Sequence, residues 1–381
     1  MSTFKTTEGY QIIENWMHSK NQEPFSFQYK TWQKYHSGYS GLVVAPTGFG
    51  KTFSVFIAVV IDYLNRPEQY KKGLKLIWIS PLRSLAKDLA KAMNEAVEEI
   101  GLDWQIEVRN GDTPTKDRRR QERLMPDVLL TTPETLHLLF SQKKNSRWFK
   151  NVKCVAVDEW HELLGSKRGV QVELGLSRLK TIAPQLRIWG VSATIGNLNQ
   201  AREVLLGPES QAFKNSALIK ANLGKTYKVE SIIPETMEKF PWRGHMGLHL
   251  LEEVVPIINN SKTTLLFTNT RAQCELWFQK LMHKHPEFAG EMAMHHGSIN
   301  KETRLWVEEA IRNESLKAVI CTSSLDLGVD FAPVESIIQI GGPKGVARFL
   351  QRAGRSGHQP GKESVIYFLP THAIELIEAS A

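Results

Sequence analysis

The sequence predicts an α/β fold in two tandem domains, each built on a parallel sheet. The chain has 381 residues, more than one ordinary domain, and 41% of them are hydrophobic, which is enough for two cores. Short apolar runs alternate with longer amphipathic segments, the pattern of repeated strand–helix units. This alternation loosens once, after residue 192, and then resumes.

The first series contains five apolar runs that are predicted to form buried strands. They are Gly41 to Ala45, Leu74 to Ser80, Val128 to Thr132, Lys153 to Val157 and Arg187 to Ser192. Helical patterns separate the runs, so the strands should pair in parallel with helices on both faces. Such sheets bind ligands beyond the carboxyl ends of their strands, so the functional residues are expected in the loops that follow the runs.

A second series follows a polar stretch that contains Gly207 and Pro208, with a linker expected over 221–225. We place the domains at 1–221 and 222–381. The predicted strands of the second domain are Lys228 to Ile233, Thr263 to Thr268, Glu291 to His295, Ala318 to Thr322, Ser336 to Ile340 and Ser364 to Phe368.

Charge and cysteine usage narrow the class of protein. The formal net charge of +8 favours a polyanionic partner. Cys154, Cys274 and Cys321 lie far apart within or beside apolar runs, which indicates reduced core residues. The first ten residues are polar and no run approaches about 18 apolar residues, so we expect a cytoplasmic protein without a membrane partner.

The segment Ala45 to Thr52 follows a predicted strand and opens a helical pattern, which is the setting of a phosphate-binding loop. Thr47, Gly48 and Gly50 keep the loop small, so that backbone N–H groups can face phosphates. Lys51 would supply a charge to the β and γ phosphates of ATP. The hydroxyl of Thr52 would ligate Mg²⁺.

Two further loops of the first domain carry candidate residues. Asp158 and Glu159 follow the fourth strand; an aspartate here can hold the magnesium shell, while the adjacent glutamate can orient or deprotonate water. Ser192 and Thr194 lie at the end of the fifth strand, where a simple turn of small residues is an equal alternative.

In the second domain, the segment Gln351 to His358 contains Arg352 and Arg355 beside glycines. Guanidinium groups can reach a γ-phosphate and offset charge in a transition state. A basic surface helix is the alternative interpretation of this segment taken alone.

Eight segments in this order resemble the superfamily 2 DEXH-box helicases. They are Ala45 to Thr52, Pro81 to Ala86, Thr131 to Glu134, Asp158 to His161, Ser192 to Thr194, Leu265 to Arg271, Cys321 to Asp330 and Gln351 to His358. The resemblance implies two RecA-like domains of P-loop NTPase architecture that use ATP and Mg²⁺. His358 stands where many relatives have arginine, which makes Arg355 the firmer arginine finger and Arg352 the second.

The resemblance also implies roles for residues outside the catalytic pair. Gln28 would read adenine, Gly328 and Asp330 would contact the nucleotide, and Ser192, Thr194 and Gln351 would couple the two activities. The residues implied to contact the nucleic-acid strand are Arg83, Thr132, Asn269, Arg271, His296 and Thr322.

Within the superfamily, the segments Asp158 to Gly169 and Cys321 to Asp330 resemble the large helicase-related (Lhr) family. The ending, Gly357 to Glu378, is similar to its bacterial ligase-associated branch. This implies 3′-to-5′ translocation on single-stranded DNA, action on RNA–DNA hybrids, a role in repair at the nucleoid, and a DNA ligase and a nuclease as partners. Because Lhr proteins continue into a winged helix, we expect a fragment or a minimal form.

Other functions fit the same motifs. An RNA helicase or a double-strand translocase would have similar motor residues, and comparing ATPase stimulation by the three polynucleotides distinguishes them. A nucleotide-gated clamp is the non-enzymatic alternative, against which Glu159 and Arg355 argue.

Overall fold

The computed structural model describes residues 3–46, 49–142, 145–193, 195–222, 227–233, 246–326, 334–343, 345–356 and 364–380. Contacts divide the chain into two compact units, Met1–Leu223 and Gly224–Ala381. The division lies two residues beyond the domain boundary that the sequence predicts. Each unit is described by itself.

Unit 1 contains a seven-stranded parallel sheet in the order β3-β4-β2-β5-β6-β1-β7. Its strands are β1 (Ser40–Val44), β2 (Leu76–Ile79), β3 (Ile106–Arg109), β4 (Val128–Thr131), β5 (Cys154–Val157), β6 (Arg187–Ser192) and β7 (Ser216–Lys220). The five predicted strands are confirmed, and β3 and β7 were not predicted.

Helices connect the strands of unit 1 and cover both faces of its sheet. They are α1 (Glu8–Ser19), α2 (Ser26–His36), α3 (Lys51–Asn65), α4 (Arg83–Ile100), α5 (Thr115–Arg123), α6 (Pro133–Phe140), α7 (Asn145–Phe149), α8 (Trp160–Leu163), α9 (Lys167–Ile182), α10 (Leu198–Leu206) and α11 (Gln211–Lys214). Two 3₁₀ turns, Thr3–Thr6 and Pro67–Gln69, complete the unit.

The alternation of side chains along the inner strands builds two cores. Leu76 and Trp78 of β2 point to one face, where they pack among residues of the first helices. Ile77 and Ile79 point to the other face and pack with the later helices. Because both faces are covered, the inner strands are apolar at most positions, which is why the sequence identifies them.

A buried ionic cluster lies at the amino ends of the strands of unit 1. Asp62 is 0% exposed, and its carboxylate accepts from Tyr70 Oη at 2.7 Å and from Arg187 Nη2 at 2.8 Å. The Arg187 guanidinium stacks on the Tyr35 ring, 3.9 Å from its centroid. Burial alone would raise the pKa of Asp62, but contacts with His36 and Arg187 lower it to about 2.

Unit 2 contains a six-stranded parallel sheet in the order β10-β11-β9-β12-β13-β8. Its strands are β8 (Tyr227–Ser231), β9 (Thr264–Phe267), β10 (Met292–His295), β11 (Ala318–Cys321), β12 (Ser336–Ile340) and β13 (Ser364–Leu369). All six strands predicted for the second domain are confirmed. Its helices are α12 (Leu251–Asn259), α13 (Arg271–Lys284), α14 (Lys301–Arg312), α15 (Val346–Ala353) and α16 (Ala373–Ser380), with 3₁₀ turns at Leu248–Leu250, Pro286–Phe288 and Ser323–Leu325.

The three cysteines are buried and unpaired, as the sequence predicts. Burial raises the pKa of the Cys154 thiol to about 12, so it stays protonated. Within the described ranges, no helix combines the length and the apolar character that crossing a membrane requires.

The strand order of unit 1 separates two groups of loops along one edge of the sheet. The loops that follow β1, β5 and β6 are neighbours, and they carry the predicted nucleotide residues. The loops that follow β2, β4 and β3 are also neighbours, and they carry the residues predicted to contact nucleic acid. We name these two groups of loops after the residues predicted there: the nucleotide half, and the strand half, where strand means the nucleic-acid strand.

Candidate nucleotide site and nucleic-acid track

The phosphate loop joins the carboxyl end of β1 to the first turn of α3. Gly50 has φ 66°, a left-handed conformation that favours glycine, and a Cβ there would lie 3.0 Å from Gln28 Nε2. Lys51 is the first residue of α3 and is 6% exposed. The partial positive charge of a helix N-terminus therefore lies at the loop. Thr47 and Gly48 lie outside the described residues.

Gln28 supports the phosphate loop from the side. Its Oε1 accepts from the Phe25 backbone N–H at 2.9 Å, and its Nε2 donates to the Gly50 carbonyl at 3.2 Å. Since the side chain is 5% exposed, these two bonds fix both ends of its amide. The predicted contact with adenine stays a prediction.

The acidic pair follows β5 and faces the lysine of the phosphate loop. Glu159 has φ 45°, an unusual value for a residue with a side chain, and its Oε2 lies 3.0 Å from Lys51 Nζ. Asp158 is 1% exposed; its oxygens accept from Trp78 Nε1 at 3.2 Å and from the Glu159 backbone N–H at 2.9 Å. The sequence prediction that Lys51, Asp158 and Glu159 form one site is thus matched by their placement.

The electrostatics of Asp158 suit a cation ligand. Burial and the neighbouring Glu159 charge raise its pKa from 3.8 to about 7, although Lys51 acts in the opposite direction. A carboxylate that is hard to ionise alone gains most from a bound divalent ion. Asp158 and Thr52, the second residue of α3, therefore fit the predicted magnesium site of a nucleotide.

A histidine links the acidic segment to the loop after β6. His161 Nδ1 lies 3.1 Å from Ser192 Oγ and accepts from the Ala193 backbone N–H at 3.3 Å. The same nitrogen lies 3.5 Å from Glu159 Oε2. Ser192, predicted as a coupling residue, is therefore in contact with the acidic segment, whereas Thr194 lies outside the described residues.

The strand half of unit 1 contains two residues predicted to contact nucleic acid: Arg83 is exposed, whereas Thr132 is buried and caps a helix. Arg83 opens α4, is exposed, and donates from Nη1 to Asp112 Oδ1 at 2.8 Å. Gly111 lies beneath this guanidinium, since a Cβ there would be 2.7 Å from Arg83 Nη2. Thr132 is 3% exposed, and its hydroxyl caps α6 by accepting from the Thr135 backbone N–H at 3.4 Å.

Arg168 ties together two loops of the strand half. Its Nε and Nη2 donate to the two carboxylate oxygens of Glu134 at 2.6 and 3.2 Å, and its Nη1 donates to the Pro81 carbonyl. Pro81 belongs to the loop after β2, and Glu134 to the first turn of α6, after β4. A single guanidinium thus bridges two neighbouring loops.

The two arginines of unit 2 have different environments. Arg352 is 2% exposed and binds Asp326 bidentately, with Nε–Oδ1 2.7 Å and Nη2–Oδ2 3.0 Å. Its Nη1 donates to Gln339 Oε1 at 2.5 Å, and the group lies 4.6 Å from the centroid of the Phe267 ring. Arg355 is half-buried and donates from Nη2 to the Asp326 carbonyl at 2.9 Å.

These contacts give Arg352 a positioning role inside unit 2. Its donors are occupied by Asp326 and Gln339, and its predicted use as a second arginine finger stays a prediction. The finger role of Arg355 stays a prediction. Gly328 and Asp330, predicted to contact the nucleotide, lie outside the described residues.

Gln351, the predicted coupling residue of unit 2, has an unusual environment. Its side chain is 3% exposed, yet neither amide atom has a hydrogen-bond partner among the residues that the structure describes. Leaving a buried amide unpaired costs about 1–3 kcal/mol. The predicted coupling role of Gln351 stays a prediction.

The predicted strand contacts of unit 2 follow three adjacent strands. Asn269 and Arg271 come after β9, His296 directly after β10, and Thr322 directly after β11, and the sheet order is β10-β11-β9. Arg271 Nη1 donates to Ser298 Oγ at 2.5 Å, in the loop that contains His296. Burial lowers the pKa of His296, so its ring stays neutral near pH 7. The topology thus brings these residues to one end of the sheet.

Two family models match the chain, and both sites fall inside them. Residues 25–201 match the DEAD/DEAH box helicase model, and residues 248–359 match the helicase conserved C-terminal domain. The chain belongs to the DEAD/DEAH-box helicases. The superfamily 2 resemblance is thereby confirmed, together with the tandem RecA-like fold.

Relatives and solved structures place this helicase chain near Lhr. It is 32% identical over 360 residues to the ATP-dependent helicase Lhr-Core protein 2 of Thermococcus barophilus. The matched region covers 91% of this chain and 42% of that relative. It is 28% identical to the Lhr helicase/uracil glycosylase of Escherichia coli, with coverage of 96% and 27%. The structure of Mycobacterium smegmatis helicase Lhr bound to ssDNA and AMP-PNP matches with a TM-score of 0.79 and 30% identity, covering 96% of this chain and 48% of that chain.

The chain therefore spans less than half the length of these Lhr relatives. The resemblance to the Lhr helicases is confirmed. Membership of the ligase-associated branch stays a prediction.

Sequence reasoning on this helicase missed three residues that complete the sites. Asp112, the partner of Arg83, follows β3, a strand that was not predicted. Asp326, the partner of Arg352, stands in a segment used only for family resemblance. Arg168 lies within the segment Asp158 to Gly169, and an arginine soon after an acidic motif is the available signal for it.

Proposed function

We propose that this chain is an ATP-driven motor that moves 3′ to 5′ along single-stranded DNA and separates duplexes. The observation that carries the proposal is the 3.0 Å pair between Lys51 of the phosphate loop and Glu159 of the acidic segment. A lysine and a carboxylate that meet across two loops of a parallel sheet, both nearly buried, have the placement needed to hydrolyse a bound nucleotide.

Residues of unit 1, together with Arg355 of unit 2, have separate proposed roles in ATP hydrolysis. Lys51 exchanges its partner Glu159 for the β and γ phosphates, which releases the carboxylate to orient and deprotonate the attacking water. Thr52 and Asp158 would hold Mg²⁺, whose charge would assist departure of the ADP leaving group. Arg355 is proposed to stabilise charge that develops in the transition state.

The strand-contact residues support recognition of the nucleic-acid backbone. Arg83, Arg271 and Asn269 are cationic or amide side chains near strand ends, a chemistry suited to phosphates and sugars. A motor that steps over any sequence must avoid reading base edges. Their largely electrostatic contacts should weaken as salt rises.

Glu159→Gln tests the proposal. The variant keeps the shape of the side chain but removes the base, so ATP binding should remain near the wild-type level while single-strand-stimulated turnover falls by about 10²-fold or more. Glu162→Gln, a neighbouring carboxylate on α8, is the matched control and should retain turnover. Wild-type turnover by the Glu159 variant would show that the base is misassigned.

Two alternatives concern the polynucleotide. An RNA helicase would be stimulated most by RNA, and a double-strand translocase by duplex DNA, so the three polymers should be compared at equal phosphate concentration. Absence of stimulation by all three would favour a nucleotide-gated clamp. The Mycobacterium smegmatis structure, bound to ssDNA and AMP-PNP, supports single-stranded DNA as the first substrate to test.

The repair role and the partnership with a DNA ligase and a nuclease rest on resemblance to the ligase-associated branch. Affinity purification of the tagged protein with candidate ligase and nuclease partners tests this. Failure to recover either partner would leave the motor assignment standing and remove the repair partnership.

A further inference from the structure

Helix α5 carries a row of exposed cations on one face. Lys116, Arg119 and Arg123 are spaced at i, i+3 and i+7, so they lie along the same side of the helix. All three are exposed, and the row is about 10 Å long at about 1.5 Å per residue. We call these three residues the α5 row.

Carboxylates near α5 are already engaged by other cations. Glu122 accepts from Arg109 Nη2 at 2.9 Å, and Arg119 adds only a weaker attraction to it. Arg120 Nη2 lies 3.1 Å from Glu107 and 3.7 Å from Asp117. The α5 row therefore has no hydrogen bond or ion pair with any residue of the described ranges.

The charge imbalance of this region is large for its length. Residues 109–123 contain six cationic side chains and three carboxylates, a net charge of +3. A solvated helix face usually mixes both signs, because interspersed charges stabilise it. Three cations on one side of the helix, offset only by the weak attraction between Arg119 and Glu122, form a surface suited to a polyanion.

The location of α5 connects this surface to the strand half of the carboxyl edge. The helix follows β3, the edge strand beside β4, and the connecting loop carries Asp112, the partner of Arg83. Arg118 secures that loop by donating to the carbonyls of Asn110 at 3.1 Å and Gly111 at 2.8 Å. Lys116, the first residue of the α5 row, lies four residues after Asp112 in the sequence, so the row begins close to the partner of Arg83.

We propose that the α5 row is a phosphate-binding extension of the single-strand track of unit 1. It binds the backbone of single-stranded DNA that has passed beyond the loops after β2, β4 and β3, without regard to sequence. This inference rests on the proposed function. It adds a second set of phosphate contacts, which lengthens the strand held by the motor and slows its loss from the track.

The test removes the charges and varies the length of the strand. Lys116→Gln, Arg119→Gln and Arg123→Gln are combined in one variant; all three sites are exposed and glutamine is a good helix former, so the fold should persist. Binding of oligodeoxythymidylates from about 6 to about 24 nucleotides is measured with a non-hydrolysable ATP analogue. Thermal unfolding of the variant is recorded as a check of the fold.

A matched control removes the same charge from the opposite edge of the sheet. Lys71, Lys72 and Lys150 are exposed residues in segments that precede β2 and β5, at the amino ends of the strands. Their triple glutamine variant has the same net charge as the α5 variant. It separates a local contact from a general change of surface potential.

Long oligonucleotides should bind the α5 variant less tightly, whereas short ones should bind it like wild type. The slope of log affinity against log salt should fall by about 2 for long strands, at about 0.7 per lost phosphate contact. Across a fourfold range of salt, the affinity ratio of wild type to variant should then change by roughly 15- to 20-fold. The control should keep the wild-type slope.

Three outcomes would overturn the inference: equal loss for short and long strands, equal loss in the control, or an unchanged slope in the α5 variant. The proposed function fails differently, because wild-type protein would then show no ATPase stimulation by single-stranded DNA. Normal stimulation with an unchanged slope in the α5 variant would refute only the α5 row.

Discussion

Arg352 and Arg355 are three residues apart, but replacing them with alanine should have different consequences. Arg352→Ala removes a buried bidentate partner of Asp326, which is 3% exposed. Arg355→Ala removes one donor to the Asp326 backbone carbonyl from a half-buried position. We expect the first variant to destabilise unit 2 and the second chiefly to lower turnover.

The expected loss of stability in the Arg352→Ala variant depends on the charge that is left unpaired on Asp326. Breaking a buried ion pair costs about 3–5 kcal/mol, because one charge is left without compensation. Arg348 Nε remains 3.5 Å from the carboxylate, so we expect about 3 kcal/mol. The loss from Arg355→Ala should be about 1 kcal/mol.

Hydrogen exchange measured by mass spectrometry resolves the effect by unit. In the Arg352 variant, peptides that contain β9 and β11 should exchange roughly 100-fold faster, since about 1.4 kcal/mol corresponds to tenfold. Peptides that contain β1 and β6 of unit 1 serve as an internal control.

Two results would refute this reasoning. Unchanged exchange in unit 2 with abolished turnover would make Arg352 a catalytic residue. If Arg352→Ala combined with Asp326→Asn is as unstable as Arg352→Ala alone, then lost packing on Phe267, at 4.6 Å, and not the charge of Asp326, dominates.

Three further predictions concern unit 1. Arg168→Ala should raise the half-saturating concentration of single-stranded DNA about fivefold in ATPase assays, since it loses about 1 kcal/mol of contacts to two loops, and Arg168→Lys should recover part of this. Because the pKa of Asp158 is raised to about 7, the nucleotide-free protein should lose stability in denaturant titrations as pH rises from about 4 to about 7, and Asp158→Asn should flatten this profile. Asp62→Asn should cost about 3–5 kcal/mol, and the stability that the lowered pKa of Asp62 provides should be lost in wild type as pH falls from about 4 to about 2.

The inner strands of both sheets could be predicted from the sequence because they are covered on two faces. The two missed strands, β3 and β7, are the two edges of the sheet of unit 1. Residues Ile106–Arg109 alternate apolar and charged side chains over four positions, which is too short a pattern to separate from a loop. The edge strand β10 was predicted because Met292, Ala293 and Met294 form an apolar run.

One tryptophan shows the limit of residue type as a guide. Their large aromatic side chains favour core or interdomain positions for Trp277 and Trp306, both on helices; within its unit Trp277 is buried, but Trp306 is 58% exposed. On α14 the buried positions are Val307, Ala310 and Ile311, so the preceding residue points outward. Helical periodicity, and not side-chain size, decides the burial here.

The candidate site was predictable in its residues but not in its contacts. The positions of Lys51 and Glu159 after successive strands predict that they meet, since parallel strands end at one edge. The pairing of Lys51 with Glu159, the ion pair of Arg352 with Asp326 and the helix cap formed by Thr132 depend on side-chain geometry. No spacing rule contains that information.

The segment that follows β5 is where the two halves of the carboxyl edge of unit 1 meet. Asp158 accepts from Trp78 of β2, the strand that begins the strand half, while His161 contacts the loop after β6. The same segment continues through α8 to Gly169, where a Cβ would lie 2.1 Å from the Leu163 carbonyl, so the turn into α9 requires glycine. Arg168, in the first turn of α9, contacts the segments that follow β2 and β4.

Energetic coupling between distant sites needs a physically connected element that both sites can bias. In unit 1, residues 158–169 form such an element, with the acidic pair at one end and Arg168 at the other. If this element carries the coupling, Arg168→Ala should weaken the stimulation of ATPase by DNA more than it weakens ATP binding. If the stimulation factor at saturating DNA is unchanged, Arg168 only positions the track, and the coupling must run through Ser192 and Gln351.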